Sequence, residues 1–507
     1  FGACPTTSAC VSNATLQGGC AVGHNPNASE LCSQCLPNYA SQGTNEPCTV
    51  CPEASETNGL FVGAVALAMA LFGFLVWDNL DGAKDMIPNH SDDTDSTTKM
   101  PFHSIVIRIV SSYMQVAGML LQFDLYLPPS VRTLITIEGS TSSLSEQLLL
   151  FDCGTTIRSD RELFVLKQLA SVWIIPIGSI AVCVLFWSLA HYLVLRHKKE
   201  GMTGMDGFIS SLMVLFYTLF PSIVNRIALT FSCATYGTEE LAKDLLAEAL
   251  SVECYSPEHW SIVGSIGVPG ILIYVIVIPL SIAMVLVQRR RKKTLYPSQI
   301  HYQSKWTLRL GFMFAGYKQG YEWWEVVVML RKCCFVLLAI FLKPYGAAPQ
   351  VVAASLVLVI GLSAQLQNAP YQDMDHDALE ALGLHACLLQ LMVALLCNAV
   401  RDSGSDVNHL GPNSTAVLVL VVFGSTVVFF VSVVRKTVRG SQDANGCVGG
   451  VAKGCRRHCG DKCCGSGGRR PQKLKKVSSR KKSNNTKIAT LQWRQNVHST
   501  LNNRMKQ

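Results

Sequence analysis

Nine runs of apolar residues punctuate the chain, at about 60–77, 104–123, 170–195, 207–231, 261–287, 322–343, 350–367, 379–400 and 415–434. Each approaches the ~20 residues a helix needs to cross ~30 Å of hydrocarbon. Polar stretches separate them. The pattern predicts an all-α polytopic membrane domain of about nine transmembrane helices over 59–435. A polar, cysteine-rich segment precedes it at 1–58, and a tail follows at 436–507. Only 15% of the 507 residues are charged, against roughly 25% in a soluble chain.

The sixth run carries the sharpest exception to its own pattern. In GYKQGYEWWEVVVMLRKCCFVLLAIFL (316–342), Arg331 and Lys332 interrupt the apolar stretch. The ten residues after them make only ~15 Å of helix, and Lys343-Pro344-Tyr345-Gly346 then ends the run. A spanning helix must therefore begin near Tyr321, with Trp323 and Trp324 at the membrane interface. Arg331 then lies near the midplane, where an unpaired charge costs ~3 kcal/mol. Glu325 stands six residues earlier, and no residue three or four away can pair with Arg331. Either a partner comes from another helix, with Glu380 and Asp124 as candidates, or both cations snorkel along their own helix.

Other polar groups sit inside runs. Arg226, beside Asn225, joins Glu325, Arg331, Lys332 and Glu380 as a buried-charge candidate. A single arginine does not make the ladder of a voltage sensor. Pro176, Pro221, Pro269 and Pro279 each remove a backbone donor and bend their helix, freeing carbonyls that need new partners. Glu380, His385 and Gln390 are five residues apart and do not share one face, so packing hydrogen bonds explain them better than a proton relay.

Cysteine usage changes the picture at the amino-terminal end. Cys4, Cys10, Cys20, Cys32, Cys35, Cys48 and Cys51 lie in a segment with little apolar material, where disulfides replace a core. The spacing Cys32-x2-Cys35-x12-Cys48-x2-Cys51 also fits a zinc ribbon. Disulfides are favoured because Asn13-Ala-Thr and Asn27-Ala-Ser are glycosylation acceptors in the same segment. FGACPTTSAC is not a signal peptide; either one was removed or the chain is a carboxy-terminal piece of something longer.

With that segment outside, nine spans put the tail inside. RHKKEGMTG (196–204) and QRRRKK (288–293) then face the cytoplasm, as the positive-inside rule asks. Cys153, Cys233 and Cys254 fall outside and raise the outside cysteines to ten, an even number. Asn413-Ser-Thr also falls outside.

The net charge of +9 belongs to the tail: from Arg435 onward there are 19 Lys+Arg against 2 Asp+Glu. Cys447, Cys455, Cys459, Cys463 and Cys464 cluster just inside the membrane. They are acylation candidates; a metal site with His458 and plain reduced thiols are the alternatives. KLKKVSSRKKS (473–483), with Lys473, Lys475, Lys476, Arg480, Lys481 and Lys482, is expected to bind anionic inner-leaflet lipid at ~1 kcal/mol per cation. Phosphorylation of Ser478 or Ser479 would weaken it. Ile488, Leu491, Trp493, Leu501 and Met505 make a patchy amphipathic segment that is a candidate for calmodulin.

CAVGHNPNASELCSQCLPNYASQGTNEPCTVC (20–51) resembles the EGF-like, cysteine-rich modules related to ephrin-receptor extracellular repeats, found in giant algal and protist proteins. SSYMQVAGMLLQFDLYLPPSV (111–131), SCATYG…VECYSPEHW (232–260) and GYKQGYEWWEVVVMLRKC (316–333) look like the multi-pass domain that ends such proteins, which is similar to TRP-like and polycystin-like membrane proteins. The resemblance covers about 20–435. It implies a cation channel at the plasma or ciliary membrane, opened by force or ligand on the extracellular module. TRP and polycystin channels place a re-entrant pore helix between their last two spans; here that loop, RDSGSDVNHLGPNST (401–415), is short and polar.

Two functions are therefore expected in parallel: a TRP/polycystin-type channel, and a membrane anchor or receptor for a large extracellular filament or matrix protein. A transporter is third. Neither a nucleotide-binding loop nor a nucleophile elbow occurs, so no enzyme activity, cofactor or nucleic-acid partner is expected. Expected partners are membrane lipids, an extracellular protein or upstream part of the same chain, a second copy of the chain, and calmodulin.

Overall fold

A computed structural model describes 35–36, 39–40, 48–51, 54–85, 102–123, 131–133, 135, 160–193, 203–236, 242–295, 305–402 and 412–449. Outside these residues lie Cys4, Cys10, Cys20, Cys32, Cys153, Asn13, Asn27, Asp124, the cysteines at 455–464, the polybasic run and the calmodulin candidate. Phe1–Ala444 form one compact unit and Asn445–Gln507 another; of the second, only the end of a helix, to Gly449, is described.

Ten helices are described. They are α1 (Ala54–Asp85), α2 (Phe102–Leu120), α3 (Asp160–Leu193), α4 (Gly204–Leu229), α5 (Pro257–Arg291), α6 (Lys305–Phe314), α7 (Trp324–Phe341), α8 (Ala347–Asn368), α9 (Met374–Asp402) and α10 (Pro412–Gly449). Seven contain segments long and apolar enough to cross a membrane: α1, α3, α4, α5, α8, α9 and α10. The second and sixth apolar runs also fold as helices, α2 and α7. The apolar part of α2, Ser104–Leu120, is shorter, and α7 carries Glu325, Arg331 and Lys332 within its 18 residues.

α4 and α9 form the centre. Their spanning segments are 61% buried, against 28% for α3, α5 and α8. The less buried helices expose apolar faces, among them Leu185, Phe186 and Leu189 on α3 and Leu356 and Ile360 on α8. Such faces call for a cover of hydrocarbon or of another protein surface. α4 begins with a capping box, Thr203 with Asp206, whose side chain also accepts from Arg309 Nε of α6 at 2.7 Å.

Three prolines fall next to widened turns. π-helical segments at Ala170–Ile174, Val263–Gly267 and Ile271–Val277 precede Pro176, Pro269 and Pro279. A proline ring clashes with the carbonyl four residues back, and a π turn relieves that crowding. The carbonyl four residues before Pro176 is that of Val172, and it accepts the Tyr274 hydroxyl of α5 at 2.8 Å. Pro221 instead lies inside continuous α-helix.

The acidic segment between α4 and α5 departs from the all-α expectation. It folds as an antiparallel sheet of β3 (Cys233–Tyr236), β4 (Lys243–Leu246) and β5 (Ala249–Glu253), in the order β3-β4-β5. Cys233–Cys254 closes it at its base. In the cysteine-rich segment, β1 (Tyr39–Ala40) pairs with β2 (Thr49–Val50) beside the Cys35–Cys48 disulfide. Cys51 is also disulfide-bonded.

Candidate functional site

The charges that interrupt the apolar runs meet one another between α2, α4, α7, α8 and α9. Arg331 leaves α7 toward α9, where its Nη2 stands 2.7 Å from Glu380 Oε1; the two side chains are 9% and 5% exposed. Gly361 on α8 opens the way, since a Cβ there would stand 3.2 Å from Arg331 Cδ. Lys332, 1% exposed, points the other way. It donates to Gln115 Oε1 of α2 at 2.7 Å and lies 4.1 Å above the Tyr217 ring of α4. Neighbouring residues on a helix are ~100° apart, so the two cations serve different helix pairs.

Glu325 is 2% exposed and does not reach Arg331. It accepts the Tyr317 hydroxyl at 2.8 Å and lies 3.4 Å from Arg108 Nε. Arg108 of α2 also donates to the carbonyls of Phe312 and Ala315, at 2.5 and 3.0 Å, and stacks on the Tyr317 ring at 4.8 Å. Arg108 was missed in the sequence. Its signal was a single cation in the otherwise apolar IVIRIV of the second run.

The polar end extends through two loops that clasp each other. Tyr317 and Tyr371 pair as an isolated bridge with their hydroxyls 3.3 Å apart. Gln372 N–H donates to the Gly316 carbonyl at 2.8 Å, and Lys318 N–H to that of Pro370 at 2.7 Å. Gly316 has φ +89, and a Cβ there would come within 2.5 Å of Ile105 Cδ1. Burial pushes the Tyr317 hydroxyl well above its ordinary pKa, with Glu325 adding to the effect. Burial does the same to Tyr371.

Several expected positions differ. Trp323 is exposed, but Trp324 is buried with Ile105, Tyr317 and Leu379. Arg226 is half-buried near the carboxy-terminal end of α4. Gln390 donates to the Tyr113 hydroxyl at 3.3 Å and His385 bonds the Ala381 carbonyl of its own helix, so neither converges on Glu380. Asn413 and Cys447 lie in the helical backbone of α10.

At the opposite end of α4, Cys233, Cys254 and His259 lie together. The two sulfurs are joined to each other. His259 accepts from Tyr255 N–H at 3.1 Å and its other ring nitrogen contacts the Thr230 carbonyl at 3.0 Å. All three are engaged, which leaves no ligand set for a metal.

Cysteine repeat modular protein A of Toxoplasma gondii is 23% identical over 455 residues, covering 76% of this chain and 14% of that protein. Cysteine repeat modular protein B of the same organism is 28% identical over 91 residues, covering 17% of this chain and 1% of that protein. The chain thus spans a small part of the curated relatives it matches. No family model matches it, EGF-like, TRP and polycystin families included. No solved structure matches it.

Proposed function

We propose that the chain is the membrane anchor of a large, cysteine-rich extracellular structure at the plasma or ciliary membrane. Its cysteine-rich end would lie outside and its basic tail in the cytoplasm, where acylated cysteines and the polybasic run would add attachment to the inner leaflet. The observation that carries this is the fate of the buried charges. Arg331 is taken by Glu380, Arg108 by Glu325 and two carbonyls, and Lys332 by Gln115 and the Tyr217 ring. A conduction path keeps polar groups turned toward a water-filled lumen; these groups are turned toward one another and join helices. The names of both relatives refer to cysteine repeats, which supports a cysteine-rich extracellular partner or continuation.

Ion flux through the purified chain in liposomes tests this, with Arg331→Leu alongside. Protein shown to be folded and correctly oriented is expected to pass no more ions than empty liposomes. Flux that Arg331→Leu alters would overturn anchoring and favour the TRP/polycystin-type channel.

A further inference from the structure

A basic cleft opens where α5 ends against the start of α7. It has a volume of about 400 Å³ and is lined by Leu286, Val287, Arg290, Arg291, Glu322 and Trp323. Three observations give it a chemistry. First, Arg290 is held in place: its Nη1 stands 3.1 Å from Glu322 Oε2, which also accepts Gly320 N–H at 3.0 Å. Second, the Arg291 side chain is exposed and has no ion-pair or hydrogen-bond partner among the described residues. Third, Trp323 is exposed on the opposite wall, its indole N–H fixed on the Gly320 carbonyl at 3.0 Å. Two guanidinium groups against one carboxylate leave the cleft one positive charge in excess, with exposed Lys292 and Lys293 adjoining.

The cleft is also continuous with a lipid-facing surface. Val277, Leu280, Met284 and Val287 are exposed along α5. Their spacing of three and four residues puts them on one face of the helix, and Arg291, four residues on, continues it. An apolar ladder thus runs up to a guanidinium, beside an interfacial tryptophan.

We propose that this cleft binds the phosphate headgroup of an anionic phospholipid carrying a phosphomonoester, with the acyl chains along the Val277–Val287 face. Arg291 supplies a planar fork of donors matched to phosphate oxygens. Arg290, oriented by Glu322, supplies the second. A free phosphate would use the same donors but none of the apolar ladder. The inference needs only the membrane depth of α5 and is independent of whether the chain anchors or conducts.

The test uses the full chain, reconstituted in phosphatidylcholine vesicles containing a minor fraction of phosphatidic acid. The protein is re-extracted in mild detergent at raised salt, which screens the exposed polybasic tail, and retained lipid is quantified by mass spectrometry. Phosphatidic acid is expected to be enriched over phosphatidylcholine. Arg291→Gln should cut that enrichment about fivefold, the loss of one charge-assisted contact, and Arg291→Lys should restore part of it. Lys305→Gln, an exposed cation on α6 outside the cleft, should leave it unchanged. Because Arg291 is exposed and unpartnered, its variants should elute like the wild type in gel filtration. Equal retention by wild type and Arg291→Gln would overturn the site. Displacement of the lipid by millimolar inorganic phosphate would overturn the lipid assignment in favour of a free anion.

Discussion

At the scale of single residues, the cost of a charge in hydrocarbon decides what Arg331 and Glu380 do. Removing one leaves the other uncompensated, which costs about 3 kcal/mol. Arg331→Leu and Glu380→Gln should each lower the midpoint of thermal unfolding in detergent micelles. The double variant should be less harmed than the sum, since no orphan charge remains. Strict additivity would mean that the two groups do not interact. The tyrosines at 317 and 371 give a second prediction. Burial raises both folded-state values, so stability is intact below the ordinary tyrosine pKa near 10 and is lost as pH rises through the folded values. Alkaline titration followed by tyrosinate absorbance should leave at least two of the 14 tyrosines silent until the protein unfolds. Ionisation of all 14 in folded protein would contradict it. Sequence reasoning could name Glu380 as a partner for Arg331 because few carboxylates interrupt the apolar runs. It could not give Glu325 its partner, because Arg108 lies 217 positions away and the clasp that joins them is a matter of loop conformation.

At the scale of elements, apolar runs were legible and polar connections were not. A spanning helix announces itself by length and composition alone. The β3–β5 sheet did have a signal: Ala249–Glu253 alternates buried and exposed positions toward its end, the period of a strand. An acidic composition masked it. The π turns follow from prolines that were visible, but which carbonyl goes free and who satisfies it depends on the neighbouring helix, as Tyr274 shows for Val172. Two predictions belong here. Gly316→Ala sets a side chain in the left-handed region and against Ile105, and should destabilise by about 2 kcal/mol, read as a lower unfolding midpoint. Cys233→Ser with Cys254→Ser opens a link between residues 21 apart in sequence, and should cost about 3 kcal/mol. Wild type and the double serine variant should then match when both are measured under reducing conditions. A variant as stable as the oxidised wild type would make the disulfide dispensable.

At the scale of the whole membrane domain, the two ends of α4 have different chemistry. One carries the capping box whose Asp206 holds Arg309 of α6. The other meets the disulfide and the sheet. The proposed orientation, which follows the positive-inside rule, puts the first end in the cytoplasm. Cysteines introduced at the exposed Tyr255 and Lys292 positions should therefore react from opposite sides of intact cells with a membrane-impermeant thiol reagent, Tyr255→Cys alone being labelled from outside. Labelling of Lys292→Cys from outside would invert the proposed orientation.

The staple at the base of the sheet has a mechanical consequence. Cys233 follows the end of α4 by a few residues and Cys254 precedes α5 by a few. Tension applied anywhere on the intervening strands passes through a covalent cross-link before it reaches a membrane helix. Strands can peel apart one hydrogen bond at a time while the pull on α4 and α5 remains shared. The sheet is thus free to deform, as a stretched tether does, without pulling on either helix alone.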